Sequence, residues 1–285
     1  MLTFRKEYSG HSPVEAPRPD PVQNFSRDVN HLVIFYSHVS PQNTKQGHFV
    51  HFCLKHLLDT IPDDAIVRGG LVHDYPVEHP RFRNHFPLFR SGGGHPMILQ
   101  QILTTLHAVR REGLPIKYVS FAEHDNLYPA SHFEFEDFDE EVLINTNHAG
   151  FCMKGFQRSN ENVWPTFAMT MKFDFALKFF ATRLVCIFED PDQYCKIEPF
   201  TNEVSDFNQW TILTRKNLTC TYKVRRTEEP ILHMFNGSHN TSMPAIYSRE
   251  DFASHDSYWG SASELAKSYY GSWVEEIPDL ETFYK

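Results

Sequence analysis

Lys117-Tyr-Val-Ser-Phe-Ala-Glu-His-Asp-Asn-Leu-Tyr-Pro129 is the stretch that decides the fold. A run of β-branched and aromatic residues stops abruptly at two acids, Glu123 and Asp125, and a Pro turn follows. That pattern predicts a buried strand with a carboxylate pair at its C-terminal edge. Ligands of open α/β sheets sit at that edge. Alternate residues of a strand face one side, so both carboxylates would reach one ligand, such as a divalent cation holding a diphosphate.

Working outward, the elements alternate. His31-Leu-Val-Ile-Phe-Tyr-Ser37 reads as a strand. Residues 47–58 carry Phe49, Val50, Phe52, Cys53, Leu57 and Leu58 at helical spacing. Residues 65–72 read as a Gly-rich strand, and 73–94 as a polar, Pro-containing loop ending in Ser91-Gly-Gly-Gly94. Pro96 opens a helix with Ile98, Leu99, Ile102, Leu103, Leu106 and Val109 on one face. Arg110, Arg111 and Gly113 close it, because cations and a terminal Gly suit a helix C-terminus. The order β-α-β-loop-α-β predicts a mostly parallel, Rossmann-type α/β sheet flanked by helices.

Beyond residue 130 the pattern changes. Residues 142–147 and 150–154 read as a hairpin, about 174–188 as a helix, and 210–213, 218–224 and 231–235 as strands. This predicts a mixed α+β C-terminal half. Residues 1–24, with Pro13, Pro17, Pro19 and Pro21, read as an extended arm, and 25–285 as a single domain with halves 25–130 and 131–285.

Composition narrows the function. At 285 residues and 41% hydrophobic the chain buries a full core. A net charge of −9 argues against a wholly basic nucleic-acid binder, although a local basic strip is compatible with it. The five cysteines lack CxxC spacing, which reads as reduced thiols and a cytoplasmic protein. The first ten residues have no apolar signal core, and the longest apolar stretch is broken by Asp174, Lys178 and Arg183, so no membrane span is expected. The sequons Asn217-Leu-Thr and Asn236-Gly-Ser read as chance. His48, His51 and His56 invite a zinc reading, yet HExxH, GxSxG, a Walker loop and a complete GxGxxG are all missing.

The run from Ser91-Gly-Gly-Gly-His-Pro through Leu114 to Pro129, with its Glu123-His124-Asp125 motif and Leu-Tyr-Pro turn, is similar to the centre of GT-A-fold, family-2-like glycosyltransferases. It covers about 30–155. The Glu-His-Asp-Asn-Leu-Tyr-Pro wording more narrowly resembles phage enzymes that add sugars to hydroxymethylpyrimidines in DNA. The first acid is Glu rather than the family's Asp, which puts that position's metal role in doubt more than the second.

The resemblance implies a nucleotide-sugar donor, with UDP foremost, and Mn²⁺ or Mg²⁺ held by Glu123, Asp125 and a His from the C-terminal half. His239 is the first candidate for that His and His233 the second. Tyr36, Ser37, His38, Asp74 and Glu123 would meet the base and ribose, and Gly93 and Gly94 the phosphates. An inverting enzyme also needs a carboxylate base. Asp190 leads and Asp174 follows. Arg81, Arg83 and Arg90, with Phe82 and Phe86 between them, would grip DNA and support an extruded base. Alternative readings are transfer to a cell-surface glycan or small molecule, a non-catalytic nucleotide-binding module, and a zinc hydrolase.

Overall fold

The computed structural model describes residues 3–4, 30–37, 44–71, 77–85, 95–152, 155–158, 164–190, 218, 220–234 and 252–270. The first half follows the expected alternation with one correction, a strand formed inside the expected 73–94 loop: β1 (His31–Ser37), α1 (Thr44–Thr60), β2 (Ile66–Leu71), β3 (Phe82–His85), α2 (His95–Glu112) and β4 (Tyr118–Glu123). The chain then forms β5 (Asn126–Leu127), β6 (Val142–Asn145), β7 (His148–Cys152), β8 (Gly155–Arg158), β9 (Met169–Lys172), α3 (Phe173–Glu189), β10 (Tyr222–Arg225), β11 (Ile231–Met234) and α4 (Ala262–Tyr270). Two further short pairs join Thr3–Phe4 to Val77–Glu78 and His255–Asp256 to Gly260–Ser261. Residues 1–2 and 5–24 of the expected arm and the 210–213 strand lie outside the described residues.

A seven-stranded sheet runs in the order β10-β6-β9-β4-β1-β2-β3. β1, β2, β3 and β4 are mutually parallel, and β10 is parallel to β6. β9 runs antiparallel to both β4 and β6. The fold is therefore α/β, with a mostly parallel sheet. β1 is apolar almost throughout because it sits between two parallel neighbours with helices on the faces.

One helical layer comes from α2 and α3. Leu99, Ile102, Leu106 and Val109 of α2 meet Ala176, Leu177, Phe180 and Ile187 of α3 in one apolar cluster. The other comes from α1, whose Val50, Leu54, Leu57 and Leu58 pack on Val33, Phe35 and Val67. Gly113 ends α2 with φ 69°, a left-handed value that L side chains avoid.

The Gly-rich character of β2 has a packing cause. A Cβ on Gly69 would lie 2.1 Å from the Phe82 ring, and one on Gly70 would lie 2.9 Å from the Gln101 carbonyl. These glycines let β3 and α2 close onto the sheet beside β1.

A second, four-stranded sheet has the order β8-β7-β11-β5. The expected hairpin of 142–147 with 150–154 is corrected here. β6 and β7 belong to different sheets, and the hairpin is β7 with β8. The Asn145-Thr-Asn147 link is no reversal. Asn145 Nδ2 donates to Thr227 Oγ1 at 2.9 Å, and Asn147 Nδ2 donates to the Thr227 and Glu228 carbonyls. Those bonds tie the link to the passage from β10 to β11. Both connections therefore cross side by side from one sheet to the next, with β10 parallel to β6 and β11 parallel to β7.

One face of the small sheet is apolar. Leu127, Ala149, Phe151, Phe156, Leu232 and Met234 pack on Ala262, Ala266 and Tyr269 of α4 and on Cys53 of α1. Its opposite face carries Asn126, His148, His233 and Gln157 beside the buried Ile231.

The arginine strip expected to hold DNA has structural work instead. Arg81 donates to the carbonyls of Leu58, Ile61 and Pro62, the open end of α1, and pairs with Asp63. Arg83 pairs with Glu112, which also takes Arg68. Phe82 is buried against Phe35 and Gly69, so it has no face for an extruded base. Arg90 and Phe86 lie outside the described residues. Arg81→Ala is accordingly expected to lower stability by about 1–3 kcal/mol, because it strands helix-end carbonyls, and to leave nucleic-acid affinity unchanged. A thermal melt and a DNA titration on the same variant check it.

Candidate active site

The strand order defines one crevice. From β1 the chain builds outward through β2 and β3, then returns to place β4 on the other side of β1. The topological switch point thus lies between β1 and β4, where open α/β sheets bind ligands. Tyr36 of β1 is in register with Glu123 of β4, and Ser37 is the next residue along. Gln101 Nε2 donates to the Ser37 carbonyl at 2.7 Å, so α2 fixes that strand end.

At the crevice the chain changes sheets. β4 ends at Glu123, His124 and Asp125 form a tight turn, and Asn126 begins β5 in the small sheet. The acids therefore do not alternate along one strand as expected. The turn makes three consecutive side chains converge. One ligand atom from each of Glu123, His124 and Asp125 lies within 4.8 Å of the others. His124 was not foreseen as part of this group. Its signal was visible as three successive metal-ligand side chains, and a turn makes such a run convergent where a strand would not.

Neighbours hold this turn firmly. The Glu123 N–H donates to Tyr128 Oη at 3.0 Å, and Tyr128 is fully buried. The Asp125 carbonyl accepts from the Met234 N–H at 2.7 Å, and Asp125 Oδ1 accepts from Asn126 Nδ2 at 3.0 Å. Pairing of β11 with β5 sets His233 opposite Asn126. His233 Nε2 then lies 3.5 Å from Asp125 Oδ2, each side chain 17% exposed, so both are shielded yet reachable.

Burial alone would raise the Asp125 carboxyl. The charges of His124 and His233, with a His233 hydrogen bond, outweigh it and hold the group down at about 2. Asp125 stays anionic throughout the neutral range. Beneath it, burial first and the Asp125 charge second push the Cys53 thiol up, so Cys53 is no thiolate ligand or nucleophile.

A mixed carboxylate and imidazole set suits Mn²⁺, and carboxylates alone suit Mg²⁺. Among the described residues this is the group of His, Cys, Asp and Glu side chains that converges. The zinc reading of α1 finds no such set, and His56 Nε2 is 3.0 Å from the Tyr128 carbonyl oxygen.

The other candidates divide. Tyr36 and Ser37 at the end of β1, Glu123 at the end of β4 and Asp125 in the following turn lie at the same edge of the sheet, with Tyr36 and Ser37 themselves buried. His233, the second candidate, arrives there on β11. His38, Asp74, Gly93, Gly94 and His239 lie outside the described residues. Asp174 is corrected. It sits in the first turn of α3, exposed, with Arg110 Nη2 at 2.8 Å. That turn follows Lys172, which is in register with Tyr118 at the start of β4, about 17 Å of strand away from Glu123. A base there would stand at the wrong edge. Because Arg110 near the end of α2 pairs with Asp174, α3 runs back alongside α2. Its C-cap residue, Asp190, therefore ends toward the acid edge.

No helix among the described residues is long and apolar enough to cross a membrane. No family model matches the chain, and no curated protein sequence matches it. Two solved structures are similar in outline. One is a glycosyltransferase involved in the glycosylation of the major capsid of PBCV-1, with TM-score 0.40 and 9% identity over 71% of this chain and 91% of that one. The other is TarS of S. aureus in complex with UDP-GlcNAc, with TM-score 0.40 and 9% identity over 72% of this chain and 58% of that one. At this level neither likeness carries a residue or a ligand over to this chain.

Proposed function

We propose that the protein is a metal-dependent glycosyltransferase that takes a sugar from a nucleotide-sugar donor, UDP-linked in the first instance, to a hydroxyl acceptor. The observation that carries this reading is the convergence of Glu123, His124 and Asp125 at the switch point, facing Tyr36 across the β1–β4 seam. The wording of that segment and its resemblance to GT-A enzymes supply the chemistry.

Glu123, His124 and Asp125 would hold Mn²⁺ or Mg²⁺, with His233 as a further ligand or as the partner that orients Asp125. When bound, the cation neutralises the donor diphosphate and makes it a better leaving group. Asp125 brings permanent negative charge to this task. Tyr36 and Ser37 line the nucleoside end of the crevice, and Asp190 is the acid best situated to act as base.

For the acceptor, a sugar-bearing or small hydroxyl compound is favoured over DNA. Arg81, Arg83 and Phe82, the residues expected to grip DNA, are committed to the fold.

Incubating the protein with Mn²⁺ and a panel of nucleotide sugars tests the reading through donor hydrolysis. Release of the nucleoside diphosphate from at least one donor is the expected result. Binding without release would leave the non-catalytic module. Glu123→Asp is expected to keep more activity than Glu123→Gln, since charge matters more here than reach. Equal rates in the two would make the position structural.

A further inference from the structure

The polar face of the small sheet extends the site past the acids. Gln157 of β8 is in register with Gly150 of β7, Gly150 with His233 of β11, and His233 with Asn126 of β5. Residues directly opposite on a ladder share a face. Asn126, His233, Gly150 and Gln157 therefore form one row leading away from Asp125. Gly150 puts no side chain between His233 and Gln157, whose backbones are two strand spacings, about 10 Å, apart.

Gln157 is 2% exposed, and neither its Oε1 nor its Nε2 has a hydrogen-bond partner. A buried amide open at both ends is rare, because each unmet group forfeits its hydration. Two more buried side-chain oxygens lack a partner. Asn126 Oδ1 is in the same row, and Thr166 Oγ1 belongs to the short 3-10 turn Thr166–Ala168. The next residue of that turn, Phe167, has its ring 5.4 Å from His233 and 5.8 Å from His148, which gives the face an aromatic wall.

The Gln157 and Asn126 amides thus offer uncharged donors and acceptors on a face walled by the Phe167 ring. A phosphate wants cations, whereas a sugar hydroxyl both donates and accepts, and its ring carries apolar C–H faces. We propose that Gln157 is a specificity-determining residue that grips hydroxyls of the transferred sugar, on the far side of His233 from the diphosphate. This rests on the nucleotide-sugar reading above.

The test is calorimetric titration of the full chain in Mn²⁺ with UDP-, GDP- and dTDP-sugars and with the matching nucleoside diphosphates. Wild type is expected to bind at least one sugar nucleotide more tightly than its diphosphate. Gln157→Leu is expected to weaken that sugar nucleotide about tenfold, the loss of one or two hydrogen bonds, with the diphosphate unchanged. Its melting temperature should hold or rise, since an unmet buried amide has gone. If Gln157→Leu does not fold, Gln157→Met carries the same comparison. A sugar-dependent gain that survives in the variant overturns the assignment. So does an equal loss for the diphosphate, or a wild type that gains nothing from the sugar. A wild type that binds no diphosphate and no sugar nucleotide instead overturns the nucleotide-sugar reading itself.

Discussion

Asp125→Asn is expected to lower the proposed sugar transfer by about 10²-fold or more, the cost of losing a charge that would act on the leaving group, while the fold survives. The substitution is nearly isosteric. The backbone bond from the Met234 N–H to the residue 125 carbonyl does not involve the side chain, and the Asn126 amide still finds an oxygen acceptor. What disappears is negative charge at a point where His124 and His233 both stabilise it. Saturating Mn²⁺ is expected to restore little, because Glu123 and His124 alone form a weaker set. Steady-state rates across a Mn²⁺ series, with a melting curve as control for folding, check this. Near wild-type transfer under limiting Mn²⁺ would remove Asp125 from the site.

The second large effect is on stability in acid. His132 is fully buried, and burial first, with Arg225 and His31 adding, holds its ring well below the usual range. His31 is lowered to about 3 by burial and then by Arg225. Its Nε2 is 2.9 Å from Ser120 Oγ, which is 2.7 Å from Thr170 Oγ1. Arg225 is anchored by the carbonyls of Ser131, His132 and Glu134, so protonating either ring brings a second cation against a fixed one.

The sign follows from linkage. Both rings have folded values below their unfolded value, so below about pH 6.5 the unfolded chain binds more protons. Their contribution is complete above that pH and falls away as pH drops toward the folded values. Between pH 7 and pH 5 the loss is about 2 kcal/mol per histidine. Melting temperature measured across that range should fall steeply, and His132→Leu should flatten the slope by about one proton. A wild-type profile flat from pH 7 to pH 5 would contradict it.

The half of the fold that was legible in the sequence is the half made of local patterns. The apolar runs of β1 and β4 and the one-faced spacing of α2 encode their elements without reference to distant residues. The glycines of β2 signalled close approach, but only Phe82 and Gln101 in three dimensions say of what. β5 was not legible, because a two-residue strand has no periodicity and exists only by pairing with β11, more than a hundred residues later. The supposed hairpin after residue 142 failed for a related reason. Two apolar runs joined by Asn-Thr-Asn look local, while their true partners are β10 and β11.

The site was legible to the same degree. Glu123 and Asp125 stand out because acids end an apolar run. The convergence of His124 depends on the chain leaving one sheet for another at that residue, which no spacing rule records. His233 reaches Asp125 only through the β11–β5 register. Arg81 and Arg83 misled because a basic, aromatic segment reads the same whether its guanidiniums face a ligand or cap a helix.

The central claim is that the Glu123–His124–Asp125 turn binds a divalent cation that in turn binds a diphosphate. Its most direct measurement is the titration of UDP into wild type and Asp125→Asn, each with Mn²⁺ and with the cation removed by a chelator. The account predicts that Mn²⁺ tightens UDP binding to wild type and that Asp125→Asn loses this dependence. UDP binding that is indifferent to the cation in wild type, or equally cation-dependent in the variant, would contradict it.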